Sequence, residues 1–485
     1  MRNPIFQILI ETQAVDLSTG TEYPIYASMH GFTAGPSDPT APNRYYPPTI
    51  VTPLVVTFGT GTQNFGGIEL SNLDGTYDSI SGYSSHGQAV TIKLLLTDDP
   101  QLDHTVILFA GIVDRMLCGR KVVRILCQDP SRILDKTVRS GLFDSTLDSI
   151  ETNTDLDGVV RPRGKGRVKN ITPKLVNAGN LIYCMRWPYN TDVSVGRVFT
   201  NIVHAVRDGG VEITFDGNDY GDGATLLAAS VASGYYATCL VESLVKLGST
   251  PVGILTVDCT YNETQDLVTG TPKGMLASIM EELGLEESQI SYSSRFTDKD
   301  YQMGWYATEP DQLSYRSLTQ TLLAPILGWM QWDGAGNVRF DCDGAPDESD
   351  VKLILTDRRD LLEPDQCPLL DWDVDDEVTP LRSVLIGYGK NWTIQEGAQL
   401  LGAAQGVQTW ADTWHYAEGE SALSIDAIQD QVTAESAIYG AADAQTEADA
   451  QIAFRSKVRP RITVQLDMLN PYGLRLLGAA PDFSA

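Results

Sequence analysis

Through most of the first 260 residues, short apolar runs alternate with turn-forming clusters, a pattern that predicts strands and turns. Ile5 to Ile10 and Tyr23 to Met29 read as a hairpin around Leu17–Ser18–Thr19–Gly20. The Pro-rich stretch from Phe32 to Pro53 lacks the amide donors a ladder needs and reads as an exposed excursion. QAVTIKLLL, HTVILFAGIVD and KVVRILC then form a meander, divided by Asp98–Asp99–Pro100 and by Cys118–Gly119–Arg120. Three such runs in succession predict a β-barrel or sandwich. Residues 141–170 are polar and Gly-rich and read as a linker. A second strand-rich block runs to residue 262, with Gly248 to Pro251 dividing two candidate strands. Within it, CLVESLVKL fits a short helix as well as a strand.

Helical periodicity appears later. Thr271 caps and Pro272 opens a helix whose apolar face is Leu276, Ile279, Met280 and Leu283, ended by Gly284. A second helix places Leu318, Leu322 and Ile326 on one face and should kink near Pro325. MQWDGAGNVRFDC follows as a hairpin turning on Asp333–Gly334–Ala335–Gly336. An Ala-rich helix is predicted over 432–456, and RITVQLDML is a final strand. The fold class is therefore β-rich α+β and multidomain, with β-barrel or sandwich domains plus a few helices. The expected division is 1–140, a linker at 141–170, 171–262, 263–370 and 371–485.

Length agrees with that division, since 485 residues at ~150 per domain give three or four. No stretch approaches the ~18 apolar residues of a membrane span. MRNPIFQILIETQ is broken by Glu11 and reads as a first strand rather than a secretory signal. Charge alters the picture more. Asp and Glu number 63 against 35 Lys and Arg, a net charge of −28, which argues against binding to nucleic acid by counterion release. Such a surface keeps the protein soluble, or lets a polyanion pass without sticking. The seven cysteines are scattered, with no paired spacing, and read as small buried hydrophobes in a reducing cytoplasm.

Little of the familiar chemistry of sites is present. His30, His86, His104, His204 and His415 are far apart, and no nucleophile elbow, zinc-binding helix or phosphate loop occurs. GTGTQNFGG (59–67) reads as a glycine-rich bend. DWDVDDE (371–377) begins like a calcium loop, but Asp376 stands where glycine is needed and Arg382 where glutamate is needed. FDGNDYGD (215–222) and DCDGAPDESD (341–350) read as solvated acidic turns before calcium sites. No catalytic, cofactor or metal residue is assigned. The one candidate contact is RPRGKGRVK (161–169), five cations in an acidic chain. The stretch reads as a solvated turn or as a docking loop, in which Arg161, Arg163, Lys165 and Arg167 would meet the acidic face of a neighbouring subunit.

Three stretches together resemble tail proteins of tailed bacteriophages, of the baseplate-hub or tail-tip type. The first, 67–130, is similar to their opening β-domain through Asn72, Asp74, Gly75, Asp78, Gly87, Val90, Ile92, Phe109, Gly111, Val113 and Asp129. The second, 163–188, resembles the joint into the next domain through Asn170, Pro173, Leu175, Val176, Asn177 and Tyr183. The third, 314–340, is similar to a hub-type helix and hairpin through Leu322, Leu323, Gly328, Asp333, Gly336 and Val338.

The resemblance implies barrels similar to tail-tube modules, in a trimeric ring that joins the hexameric tube to the host-contacting tip. Two β-domains per copy would line the DNA channel, so that three copies match six tube subunits. Distal tail or tube, tip-fibre and tape-measure proteins would be neighbours. The protein would be made and assembled in the host cytoplasm and reside in the virion tail, without enzymatic activity or cofactor. Members of the family continue through more strands after the Ala-rich helix, so a last domain would be shortened or completed by a neighbour. Three other readings are a tail-associated peptidase or glycan hydrolase, the distal tail ring, and a glycan- or receptor-binding module using Tyr45–Tyr46.

Overall fold

A computed structural model describes residues 7–51, 56–59, 62–65, 67–95, 101–128, 130–146, 150–186, 200–262, 270–332, 336–344, 372–374, 380–405, 412–421, 430–456 and 460–462. Its first unit is an antiparallel sheet of β1 (Gln7–Val15), β2 (Glu22–Ser28), β3 (Ile68–Ser71), β4 (Ala89–Leu95), β5 (Val106–Cys118) and β6 (Val122–Gln128), in the order β2-β1-β4-β5-β6-β3. The expected hairpin and meander are both here. Inward residues such as Ile10, Ile92, Phe109, Val113 and Ile125 form one core. Residues 47–51 close the curl. On one side Ser28 N–H donates to Pro47 O and Ile50 N–H to Ser28 O; on the other, Val51 N–H donates to Glu69 O and Ser71 N–H to Thr49 O. That segment joins β2 to β3, so the first unit is a barrel and not a sandwich.

Closure corrects the reading of the Pro-rich stretch as a wholly exposed excursion. Phe32–Thr33 pairs with Tyr45–Tyr46, and Tyr46 is fully buried beside Tyr26 and Phe32 while Tyr45 points outward. The Tyr46 hydroxyl donates to Glu11 at 2.5 Å, and Lys93 holds the same carboxylate at 2.8 Å.

The second unit is a nine-stranded sheet. It contains β7 (Arg163–Ile171), β8 (Lys174–Asn177), β9 (Ile182–Cys184), β10 (Thr200–Asp208), β11 (Val211–Asp219), β12 (Tyr235–Cys239), β13 (Leu244–Leu247), β14 (Leu255–Asn262) and β15 (Gly304–Ala307). Their order is β8-β9-β13-β12-β11-β10-β14-β7-β15. The ambiguous CLVESLVKL is a hairpin: Ser243 takes a positive φ and turns β12 back into β13. The linker expected at 141–170 does not exist as such, because its last eight residues belong to β7, inside the sheet. The expected boundary at 262 does not divide cores either, since β15 completes the sheet from beyond it.

α1 (Gly223–Ala228) sits by β12, its Leu226 in the core of the second unit. The later helices share one further core: α2 (Pro272–Glu282) starts at the Thr271 cap, as expected, and α3 (Ser294–Thr297) is a single turn. α4 (Tyr315–Leu323) gives way at Ala324–Pro325–Ile326 to a tighter turn, the expected proline effect. Strand Gly328–Trp332 pairs with Val338–Cys342; of the expected turn residues, Asp333, Gly334 and Ala335 lie outside the described residues. The Ala-rich helix is α5 (Ala441–Arg455), nine residues shorter at its start than expected. Residues Gln431–Glu435 instead pair in parallel with Ser383–Tyr388, where sheet partners override local helix preference. Leu276, Leu322, Ile386, Ala444 and Ile452 share a core, so the boundary expected at 370 does not divide one core from the next. Most of RITVQLDML lies outside the described residues.

Burial pushes the Cys184, Cys239 and Cys259 thiols up to about 12. A thiolate is the reactive form, so these three should resist iodoacetamide at pH 8 in the native protein and react once it is denatured. Peptide mass mapping checks this, and rapid labelling of the native chain would contradict the burial.

Candidate functional site

The candidate docking loop is not a loop. Arg161, Arg163 and Lys165 are buried, and Arg167 lies half-buried with its guanidinium 4.2 Å from the Tyr439 ring centroid. The alternation of charged residues with Gly164 and Gly166 has the period of a strand. β7 pairs with β14 on one side and β15 on the other, so both of its edges are covered. Glycine is required here: Gly166 has a φ of +69°, and an added Cβ would lie 2.1 Å from Met303 O.

Each buried cation has a carboxylate of this same chain as partner. Arg161 meets Glu151 through two guanidinium nitrogens, the second at 2.6 Å, and covers the Phe143 ring. Glu282, at the end of α2, accepts from Arg163 and Lys165 at 2.5 Å each and from the Tyr315 hydroxyl at 2.9 Å. Lys165 also donates to Ser278 at 2.6 Å. The cluster therefore ties β7 to α2 and α4. Its chemistry is structural, since every one of these groups is turned to a partner inside the fold.

Asn170, where the resemblance places the joint, ends this strand with a φ of 58°. Its amide N–H donates to Asp258 at 2.7 Å, while its side chain donates to Asn391 at 2.7 Å and to Thr393 O at 2.6 Å. Asparagine tolerates this conformation better than most residues, and it fastens the sheet to the segment around residue 391.

The acidic stretches divide similarly. In 215–222, Asp219 accepts from Thr238 and Leu240, and Asp222 caps α1 through Thr225. These bonds hold turns together. Of 341–350, Asp341 pairs with Arg339 at 3.1 Å; residues 345–350 and the side chains of 371–377 lie outside the described residues. In GTGTQNFGG, Gly59 and Thr62–Phe65 belong to an antiparallel pair, Val56–Gly59 with Thr62–Phe65, and residues 60, 61 and 66 lie outside the described residues. Among the described residues, no three His, Cys, Asp or Glu side chains are grouped as a metal ion would require. The five histidines lie on separate elements. No described helix is long and apolar enough to cross a membrane.

One cavity combines aromatic faces with hydrogen-bonding groups, and the sequence reading missed it. About 280 Å³ in volume, it lies where β15, the end of α4, residues 435–437, Lys390, Trp392 and Trp414 converge. Trp305, Trp392 and Trp414 line it together with the exposed Glu435 and Thr321. Lys390 Nζ stands 4.0 Å from the Trp392 ring centroid and 5.0 Å from that of Trp414. Partial burial lowers the pKa of this amine, and the Glu435 carboxylate opposes the shift. The indole nitrogen of Trp305 is buried and has no acceptor among the described residues. No spacing rule links positions 305, 392 and 414; only the unequal distribution of tryptophan toward the later part of the chain hints at them.

No protein-family model matches the chain, and no curated protein sequence matches it. Among solved structures, a chain described as "Virion of native gene transfer agent (GTA) particle" aligns with 12% identity and a TM-score of 0.20, covering 55% of this chain and 81% of that one.

Proposed function

We propose that this chain is a structural virion protein of a bacteriophage-like tail, and that it acts as a hub between tail tube and tip without catalysing a reaction. The observation that carries the reading is the role of the resemblance residues in the first barrel. Asn72 is buried at the end of β3; its side chain donates to Asp78 at 2.8 Å and to Gly119 O at 3.1 Å, and accepts from Tyr77 N–H at 2.9 Å. It thereby locks the 72–78 turn against the turn between β5 and β6. Gly111 is equally constrained, since a Cβ there would lie 2.1 Å from the Phe109 ring. That the barrel's geometry demands these motif residues supports the resemblance. Asp129 lies outside the described residues.

The same barrel end offers a surface for assembly. Turns 16–21, 72–88 and 119–121 all cluster there, because β1, β3 and β5 end at this rim and β2, β4 and β6 begin at it. Leu17 and Leu73, exposed by 80% and 77%, sit on two of these turns. In a ring of such subunits they would be covered by a neighbour, with the acidic balance of −28 letting DNA pass the lumen without being held.

Native mass spectrometry of the full chain should find a closed oligomer, with three copies expected. Leu17→Asp combined with Leu73→Asp should leave the circular dichroism spectrum unchanged and shift the protein at least tenfold toward monomer. A monomer at all concentrations, or turnover of peptidoglycan by the purified chain, would sink the hub reading.

A further inference from the structure

We propose that the cleft between Trp305, Trp392 and Trp414 binds one neutral pyranose unit of a glycan, a hexose or N-acetylhexosamine. The proposal stands apart from the tail reading, since it rests on the cleft alone. A pyranose ring is amphipathic: its hydroxyl edge needs both donors and acceptors, whereas its axial C–H face is apolar and slightly positive. The indole face carries the complementary negative charge density, so sugar and tryptophan associate face to face.

Polar groups around the cleft match that edge. Lys390 Nζ is a donor, and Glu435 is an acceptor. Ser436 contributes no such group, because its hydroxyl donates to Gly387 O at 2.5 Å and accepts from Ile438 N–H at 3.0 Å.

The walls are held in place before any ligand arrives. Tyr306 packs edge-on against Trp392 with ring centroids 6.1 Å apart. Trp414 lies on Gly387, where an added Cβ would already touch its ring at 3.5 Å. Lys390 is fixed between the two indoles, so its ammonium is aimed without further ordering. Prior ordering of this kind reduces the entropy lost on binding.

Size and charge set the ligand class. A cavity of about 280 Å³ is at the lower end for small-molecule sites and suits one sugar ring, not a peptide or an extended chain. Lys390 alone would favour an acidic sugar, but Glu435 lines the same cleft and the whole chain carries −28. Neutral sugars escape that repulsion.

The test is a titration of the full chain with maltose, cellobiose and N,N′-diacetylchitobiose, read by tryptophan fluorescence. A galacturonate dimer supplies the acidic arm. At least one neutral disaccharide should give a saturable change with a dissociation constant of about 1 mM, as expected for a ligand this small. Trp414→Ala should weaken binding at least tenfold, and Trp414→Phe should restore most of it while keeping the fold. Lys390→Met should weaken it severalfold. Three outcomes would overturn the proposal: no saturable change with any neutral sugar, binding of the acidic dimer alone, or neutral-sugar binding that Trp414→Phe and Trp414→Ala leave untouched.

Discussion

Replacing Glu282 with Ala is expected to destabilise the unit built around β7 by roughly 3–5 kcal/mol, the loss seen when one partner of a buried ion pair is removed. The size follows from what stays behind. Arg163 and Lys165 both point at the Glu282 carboxylate, and both are buried. Alanine leaves two buried cations in a low-dielectric interior without this carboxylate, beside Ser278 and the Arg139 carbonyl. It also strips the acceptor from the Tyr315 hydroxyl. Glu282→Gln keeps the shape and one acceptor oxygen, so its loss should be smaller. Thermal unfolding followed by calorimetry should show the affected transition lowered by roughly 10 °C for Ala. An unchanged transition would mean that the cluster is solvated and not buried.

A second large effect is expected at the crossing of β7 and β15. Gly166 stands opposite Gly304 in the ladder. A Cβ on Gly304 would lie 1.9 Å from Arg167 O, and one on Gly166 would lie 2.1 Å from Met303 O. Both obstacles are backbone atoms, so no side chain can swing aside. Gly304→Ala should therefore force the strands apart and cost about 3 kcal/mol, at the upper end for overpacking. Gly166→Ala should cost as much, since its positive φ adds strain to the clash. Gly217, which has a positive φ but open space around it, is the control: Gly217→Ala should cost only about 1 kcal/mol. Chemical denaturation of the three variants checks the ranking, and equal losses at all three would contradict the close approach.

Legibility in the sequence followed the range over which each signal acts. β4, β5 and β6 were readable because Ile92, Phe109, Val113 and Ile125 carry their own apolar pattern and pair with the next strand. α2 was readable because Thr271, Pro272 and Gly284 mark its ends locally. β7 was not, since its buried positions include Arg163 and Lys165, and what neutralises them lies far along the chain at Glu282. The period of two was nevertheless there, in Arg161, Arg163, Lys165 and Arg167. The start of α5 was misplaced for a related reason: Gln431–Glu435 has helical composition, but its fate is decided by Ser383–Tyr388. The tryptophan cleft is the extreme case, drawn from three segments that only the completed fold brings together.

The position of β7 also fixes an order of events while the chain is being made. The first barrel needs nothing beyond β6 to complete its ladders, so it can close as soon as residue 128 has left the ribosome. β7 emerges soon after but must wait, with charged groups unpaired and both edges bare. β14 covers one edge, β15 the other, and the Lys169–Asn391 bridge comes later still. Long-range pairing of this sort is slow, and bare strand edges recruit other chains. The Arg and Lys residues that look wasteful in a buried strand would keep it soluble and self-repelling during that interval, as charges do on exposed edges elsewhere.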